Sequence, residues 1–221
     1  MALTLYYDPT DNTSMMVVAV LNYLQISFDT KVVNVKDKEN ETEDFKQISP
    51  DGKIPAIQDE GDFNVYGGPT ILKYLIQDRG IEDELYSMEN LQQRSTINAY
   101  IDHEQMVYRL PMQSMIKMYD ENPKKFSQDG FKDEDLEEKF TKLYQSFDKL
   151  TEILDRKEGP FIMGECCTLA DYVYFFSTLQ AITLFKASLD KHPEVQQWYD
   201  RIIERSTVAD AVSKYKESIN E

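Results

Sequence analysis

The chain has 221 residues, room for one large domain or two modest ones with real cores. Its 41% hydrophobic and 29% charged residues are an ordinary globular composition, but 24 Lys+Arg against 40 Asp+Glu leave a formal net charge of -16. A surface that negative repels nucleic-acid phosphates and anionic lipid, so neither a nucleic acid nor a membrane is expected as a partner.

In chain order, residues 3–7 (LTLYY) form a short β-rich run stopped by Asp8-Pro9. Ser14 reads as a helix N-cap. Val17, Val20, Leu21 and Leu24 follow at i, i+3, i+4 and i+7, predicting an amphipathic helix over 14–25. Residues 28–35 read as a second strand and 41–48 as a short helix. Residues 54–58 and 63–66 are two strands joined by Asp59-Glu60-Gly61-Asp62, a hairpin signal. Pro69 suits the first turn of a helix that runs to Arg79 and ends at Gly80. The order β-α-β-α-β-β-α places a parallel βαβ unit and an antiparallel hairpin in one four-stranded mixed sheet over 3–66, covered by helices.

Residues 81–87 read as a linker, after which helical periodicity takes over. Leu136, Phe140, Leu143, Phe147, Leu150 and Leu154 mark one long helix, preceded by a polar, turn-rich loop over 119–130. Thr168 and Asp171 have the form of a capping box, opening a helix with Leu169, Tyr172, Val173 and Phe176 on one face. The expected division is an α/β domain over 1–80 and an all-helical domain over 88–221.

Cys166 and Cys167 are adjacent, a poor arrangement for an ordinary disulfide, which fits a reducing compartment. No apolar run approaches the ~18–20 residues of a membrane span, and the first ten residues lack a signal-peptide pattern. The localisation expected is cytoplasmic. With only His103 and His192, neither a histidine metal centre nor a Ser-His-Asp triad is expected, and no metal is assigned. The acidic runs 39–44 and 133–138 read as solvated faces, not calcium loops.

Two stretches resemble one family. Ser49-Pro-Asp-Gly-Lys-Ile-Pro-Ala-Ile57 is similar to the "NP.GKVPAL" segment of glutathione transferases, and Gly159-Pro-Phe-Ile-Met-Gly-Glu-Cys-Cys-Thr-Leu-Ala-Asp171 to their "G.yl.Gd..TlAD" segment. Arg94, Asn98, Tyr100 and His103 resemble the first helix of the second domain in theta-class members. The resemblance covers nearly the whole chain and is theta/delta-like. It implies the glutathione-transferase fold: a thioredoxin-like N-terminal domain followed by a helical C-terminal domain.

The resemblance also implies a site, and a degraded one. Pro55 is expected to be cis, turning the N–H and C=O of Ile54 outward to pair with the cysteinyl backbone of glutathione; otherwise the proline only shapes its loop. Lys53 is placed to reach the glycyl carboxylate, or is a solvated loop lysine. Gly67 and Gly68 stand where family members carry Glu/Gln-Ser for the γ-glutamyl group, leaving backbone N–H groups and a helix N-terminus. Asp11 stands where a Ser or Cys meets the glutathione sulfur; a carboxylate there only accepts hydrogen bonds and raises a thiol's pKa. Tyr7, at the place of the catalytic Tyr of alpha-, mu- and pi-like members, or a hydroxyl at Thr13 or Ser14 would substitute. Tyr7 is alternatively a strand-end aromatic, and Ser14 a cap. Thr168 and Asp171 are structural, and Tyr108, Met112, Met115 and Phe176 either line a hydrophobic pocket between the domains or are core.

Two functions follow from the resemblance. One is a glutathione S-transferase-like enzyme conjugating glutathione to a small electrophile, with no cofactor beyond glutathione as co-substrate. The other is a non-catalytic docking or scaffold subunit of a larger assembly. The corresponding partners are a second copy in a homodimer or the other subunits of a protein complex. Thiol-disulfide chemistry in the first domain is excluded, because residues 1–80 contain no cysteine.

Overall fold

The computed structural model describes residues 3–126, 134–156 and 158–220. The chain divides into two compact units, Met1–Glu82 with Ile203–Glu221, and Asp83–Ile202.

In the first unit, β1 (Thr4–Tyr7) pairs in parallel with β2 (Asp29–Val32) and antiparallel with β3 (Ala56–Asp59), which pairs antiparallel with β4 (Phe63–Tyr66). The sheet order is β2-β1-β3-β4, the mixed sheet that the element order requires. Side chains alternate across it. Tyr6 packs toward Phe45 of α2 (Glu43–Lys46), ring centroids 6.0 Å apart, in a cluster with Val33 and Ala56. The opposite face carries α1 (Asn12–Tyr23) and α3 (Gly68–Asp78), which pack together.

Several bounds differ from the sequence expectation for local reasons. α1 starts at Asn12, not Ser14, because Asp11 is extended (φ -95, ψ 120) and its Oδ2 accepts the Ser14 N–H at 2.6 Å. β2 is short and exposed throughout, an edge strand with one neighbour. β3 begins only at Ala56, after a cis Ile54-Pro55 bond. The helix expected over 41–48 is a single turn, α2, capped by Thr42 and preceded by a 3₁₀ turn at Glu39–Glu41.

The second unit contains α4 (Leu91–His103), a π turn (Glu104–Tyr108), α5 (Leu110–Glu121), α6 (Glu134–Asp155), α7 (Leu169–Phe185) and α8 (Pro193–Ile203). α6 buries Leu136, Phe140, Leu143, Phe147, Leu150 and Leu154, the stripe read from its spacing. α7 is buried on every side, including Ser177, Thr178 and Gln180, so its expected single apolar face was too narrow. Tyr108, Met112, Met115 and Phe176 are all core, each at most 1% exposed.

Leu85, Tyr86 and Ser87, expected in a linker, are buried, and the Leu85 carbonyl accepts the Leu169 N–H at 2.8 Å. The loop expected over 119–130 begins as helix and continues as a 3₁₀ turn, Pro123–Phe126, with Phe126 buried; its residues 127–130 lie outside the described residues. Of the acidic run 133–138, Asp133 also lies outside them, and Glu134, Asp135, Glu137 and Glu138 are exposed. The last helix, α9 (Ser206–Ser218), packs on α1 in the first unit, whereas the expected division places it in the helical domain over 88–221.

Candidate functional site

The sheet pairing brings three segments to one end of the first unit. Tyr6 opposes Ala56, and Ala56 opposes Tyr66. The chain leaving β1, the chain entering β3 and the chain leaving β4 therefore meet there. This is the carboxyl end of the parallel pair β1 and β2, the end where ligands of open α/β sheets are usually bound.

The first segment is Asp8–Ser14. The buried Asp8 carboxylate accepts from the Thr10 N–H (2.8 Å) and hydroxyl (2.7 Å) through Oδ1 and from the Val35 N–H (3.2 Å) through Oδ2. These bonds turn the chain out of β1 and into α1, where Asp11 caps the helix. Ser14 is fully buried, and its Oγ accepts the Asp8 N–H at 3.4 Å. Its hydroxyl therefore supports the loop from beneath and is not presented to a ligand. The sequence DNTS holds four good capping residues in a row, so pattern alone could not choose among them.

Tyr7 ends β1, directly before the first segment. It borders a cavity of about 560 Å³ together with Met15, Val18, Phe28 and Lys214 of α9.

The second segment is Lys53-Ile54-Pro55. The Lys53 side chain is exposed, while its N–H donates to Oγ of the buried Ser49 at 3.0 Å, fixing the loop. Ile54 packs its side chain against the Phe45 cluster. Among the described residues neither its N–H nor its C=O has a hydrogen-bond partner. Half-buried backbone groups with no internal partner are an edge that another chain can complete.

The third segment is Gly67-Gly68-Pro69. The Gly67 N–H donates to the Pro55 carbonyl at 3.0 Å, tying it to the second segment. Gly67 is the N-cap of α3 at φ 86, a conformation that favours glycine. Gly68 presses on α1: a Cβ there would lie 2.6 Å from Thr13 Cγ2 and 2.8 Å from Met16 Cε. A serine at 68 therefore has no room unless α1 and α3 separate. The positive ends of α1 and α3 and the charge of Lys53 favour an anion at this end of the sheet, and the Asp11 carboxylate opposes it.

Thr168 and Asp171 lie in the second unit. Asp171 is wholly buried; Oδ1 accepts from the Ile162 N–H and Trp198 Nε1–H, both at 2.9 Å. Oδ2 accepts from the Thr168 N–H (2.8 Å) and hydroxyl (3.0 Å). Burial pushes its pKa up, and these four donors pull the other way. The carboxylate joins the helix start to a loop and to α8, more than the sequence reading of a cap.

The sequence reading also missed a buried pair. Glu104 is fully buried within the π turn, bonded by Arg109 Nε at 3.2 Å and by the Ser177 hydroxyl. Burial raises its pKa against these partners. Its spacing to Arg109 is i, i+5, which makes no contact in a regular helix and so gave no signal. The bond to Glu84, then burial, raises the pKa of Cys166 above that of an ordinary thiol.

Two family models cover most of the chain: the glutathione S-transferase N-terminal domain matches residues 12–78 and the C-terminal domain residues 111–216. Glutathione S-transferase F10 of Arabidopsis thaliana is 26% identical over 222 residues, covering 97% of this chain and 98% of that protein. Glutathione S-transferase 1 of Zea mays is 25% identical over 192 residues, 84% of each chain. A solved glutathione transferase homolog of Drosophila mojavensis, with bound glutathione, superposes at a TM-score of 0.83 with 20% identity, covering 99% of this chain and 96% of that one. The two domain models, in their expected order, agree with the mixed sheet and the helical second unit: the chain belongs to the glutathione S-transferase family.

Proposed function

We propose that this chain binds glutathione at the carboxyl end of its sheet and conjugates the sulfur to a small electrophile. The observation that carries the reading is the open backbone of Ile54 beside cis Pro55, with Lys53 before it and Gly67 bonded behind it. A peptide strand lying there gains an acceptor and a donor from Ile54, and Lys53 is free to meet its terminal carboxylate.

With Ser14 buried, the thiolate relies on the positive end of α1. The thiol proton leaves to solvent, the sulfur lone pair forms the S–C bond, and the leaving group departs with its electron pair. Asp11 works against the first step, so turnover is expected to be slow. The test is calorimetry with glutathione at about 10 mM, followed by conjugation to a generic aryl halide near pH 7. Absence of binding would sink the reading.

The docking-subunit reading draws support from one observation: Asp11, which the resemblance sets at the sulfur position, is engaged as a helix cap. It predicts glutathione binding without turnover, or neither.

A further inference from the structure

The three segments of the site are unequal in what they offer a ligand, and the inequality selects among thiols. The end formed by residues 67–70 offers little to an amino-acid head group. The Gly67 N–H is already donated to Pro55, and the Ile71 N–H to Gly67. Pro69 has no N–H. That leaves the N–H groups of Gly68 and Thr70 for an anion, with no carboxylate or amide side chain in the stretch to receive an ammonium. A side chain at 68 would have to push α1 aside, since its Cβ would lie 2.6 Å from Thr13 Cγ2. A zwitterionic head needs both halves matched, and an unmatched ammonium gains nothing from the positive end of α3.

The Ile54 end is complete by comparison. Among the described residues one N–H and one C=O stand without internal partners, and an exposed lysine precedes them. These groups address a peptide backbone and a C-terminal carboxylate. They do not address what is attached to the amino side of the cysteine. A free α-ammonium at that position still donates to the Ile54 carbonyl, and more strongly for its charge.

We infer that this site recognises the cysteinylglycine part of a thiol peptide and is nearly indifferent to a γ-glutamyl group, so that its ligand class is C-terminal Cys-Gly thiols and not glutathione alone. The inference rests on the binding reading given above. Reduced glutathione, L-cysteinylglycine and γ-glutamylcysteine are titrated separately into the full chain by calorimetry. The expected result is that glutathione and cysteinylglycine bind within about threefold of each other, with γ-glutamylcysteine weaker than both. Lys53→Ala is expected to weaken the first two equally, by about threefold, the scale of an exposed ion pair. If glutathione binds more than about tenfold tighter than cysteinylglycine, the selectivity inference is overturned and the binding reading stands. If none of the three binds, both fall.

Discussion

Gly68→Ala tests the contact that closes the third segment onto α1. The added methyl would sit 2.6 Å from Thr13 Cγ2 and 2.8 Å from Met16 Cε, about 1 Å inside comfortable carbon contact. Met16 is flexible and can withdraw its terminal carbon. Thr13 is β-branched and 8% exposed, so it cannot rotate away cheaply. Overpacking of this kind costs about 1–3 kcal/mol, offset by about 0.5–1 kcal/mol from replacing glycine in a helix. The expected net loss is about 0.5–2 kcal/mol. Thr13→Ser deletes the offending methyl while keeping the hydroxyl. The Gly68→Ala/Thr13→Ser double variant should therefore be more stable than the sum of the singles by about 1 kcal/mol. Equilibrium urea unfolding followed by far-UV circular dichroism, with matched m-values, reads all four corners of the cycle. If Gly68→Ala matches or exceeds the wild-type stability, or the cycle is additive, the contact is not as described.

Asp171→Ala should lose several kcal/mol, since four donors with the geometry given above would be left unpaired at about 1–3 kcal/mol for each one buried; fluorescence of the single Trp198 reports it directly. Asp11→Ser keeps a capping oxygen and removes the charge, so stability should hold within about 0.5 kcal/mol while conjugation rises, whereas Asp11→Ala should cost about 1 kcal/mol. For the almost fully buried Asp59, burial raises the pKa, but bonds from Arg79 and Tyr74 outweigh it and the pKa is held below the ordinary value. A lowered folded-state pKa means stability present above about pH 4 and lost as pH falls further. Asp59→Asn should flatten that acid limb in a pH series of melting temperatures.

The β-rich run at residues 3–7, the hairpin signal at 59–62 and the 3-and-4 spacing of α6 are local signals, and the structure follows them. What pattern could not supply were choices made by tertiary contact. Of four consecutive cap-forming residues, the sequence expectation takes Ser14 as the cap, whereas the loop fixed by Asp8 and Val35 puts Asp11 there. α7 is apolar all round, so no single face could be read from it. α9 is amphipathic, but its sequence does not say which helix it will cover, and it covers α1. At Lys53–Pro55 a proline and its neighbours define backbone geometry, and the cis Ile54-Pro55 bond expected there is present. Ser14 reads from sequence as a ligand hydroxyl or a helix cap; the structure gives the cap to Asp11 and buries the Ser14 hydroxyl.

The π turn at Glu104–Tyr108 changes what one stretch of helix can touch. Ile97, Ile101, Glu104, Tyr108, Met112 and Met115, all buried, recur at intervals of three and four, which in a continuous α-helix would form one straight stripe facing one neighbour. A wide turn holds one extra residue, and each residue is worth about 100° of rotation. The second half is thereby turned out of phase with the first: α4 lies against α7, while α5 reaches both α6 and α7. Chain length at this point acts as an angular setting. Deleting the exposed Met106 would remove no core side chain, yet it would re-aim every residue after it toward a different neighbour.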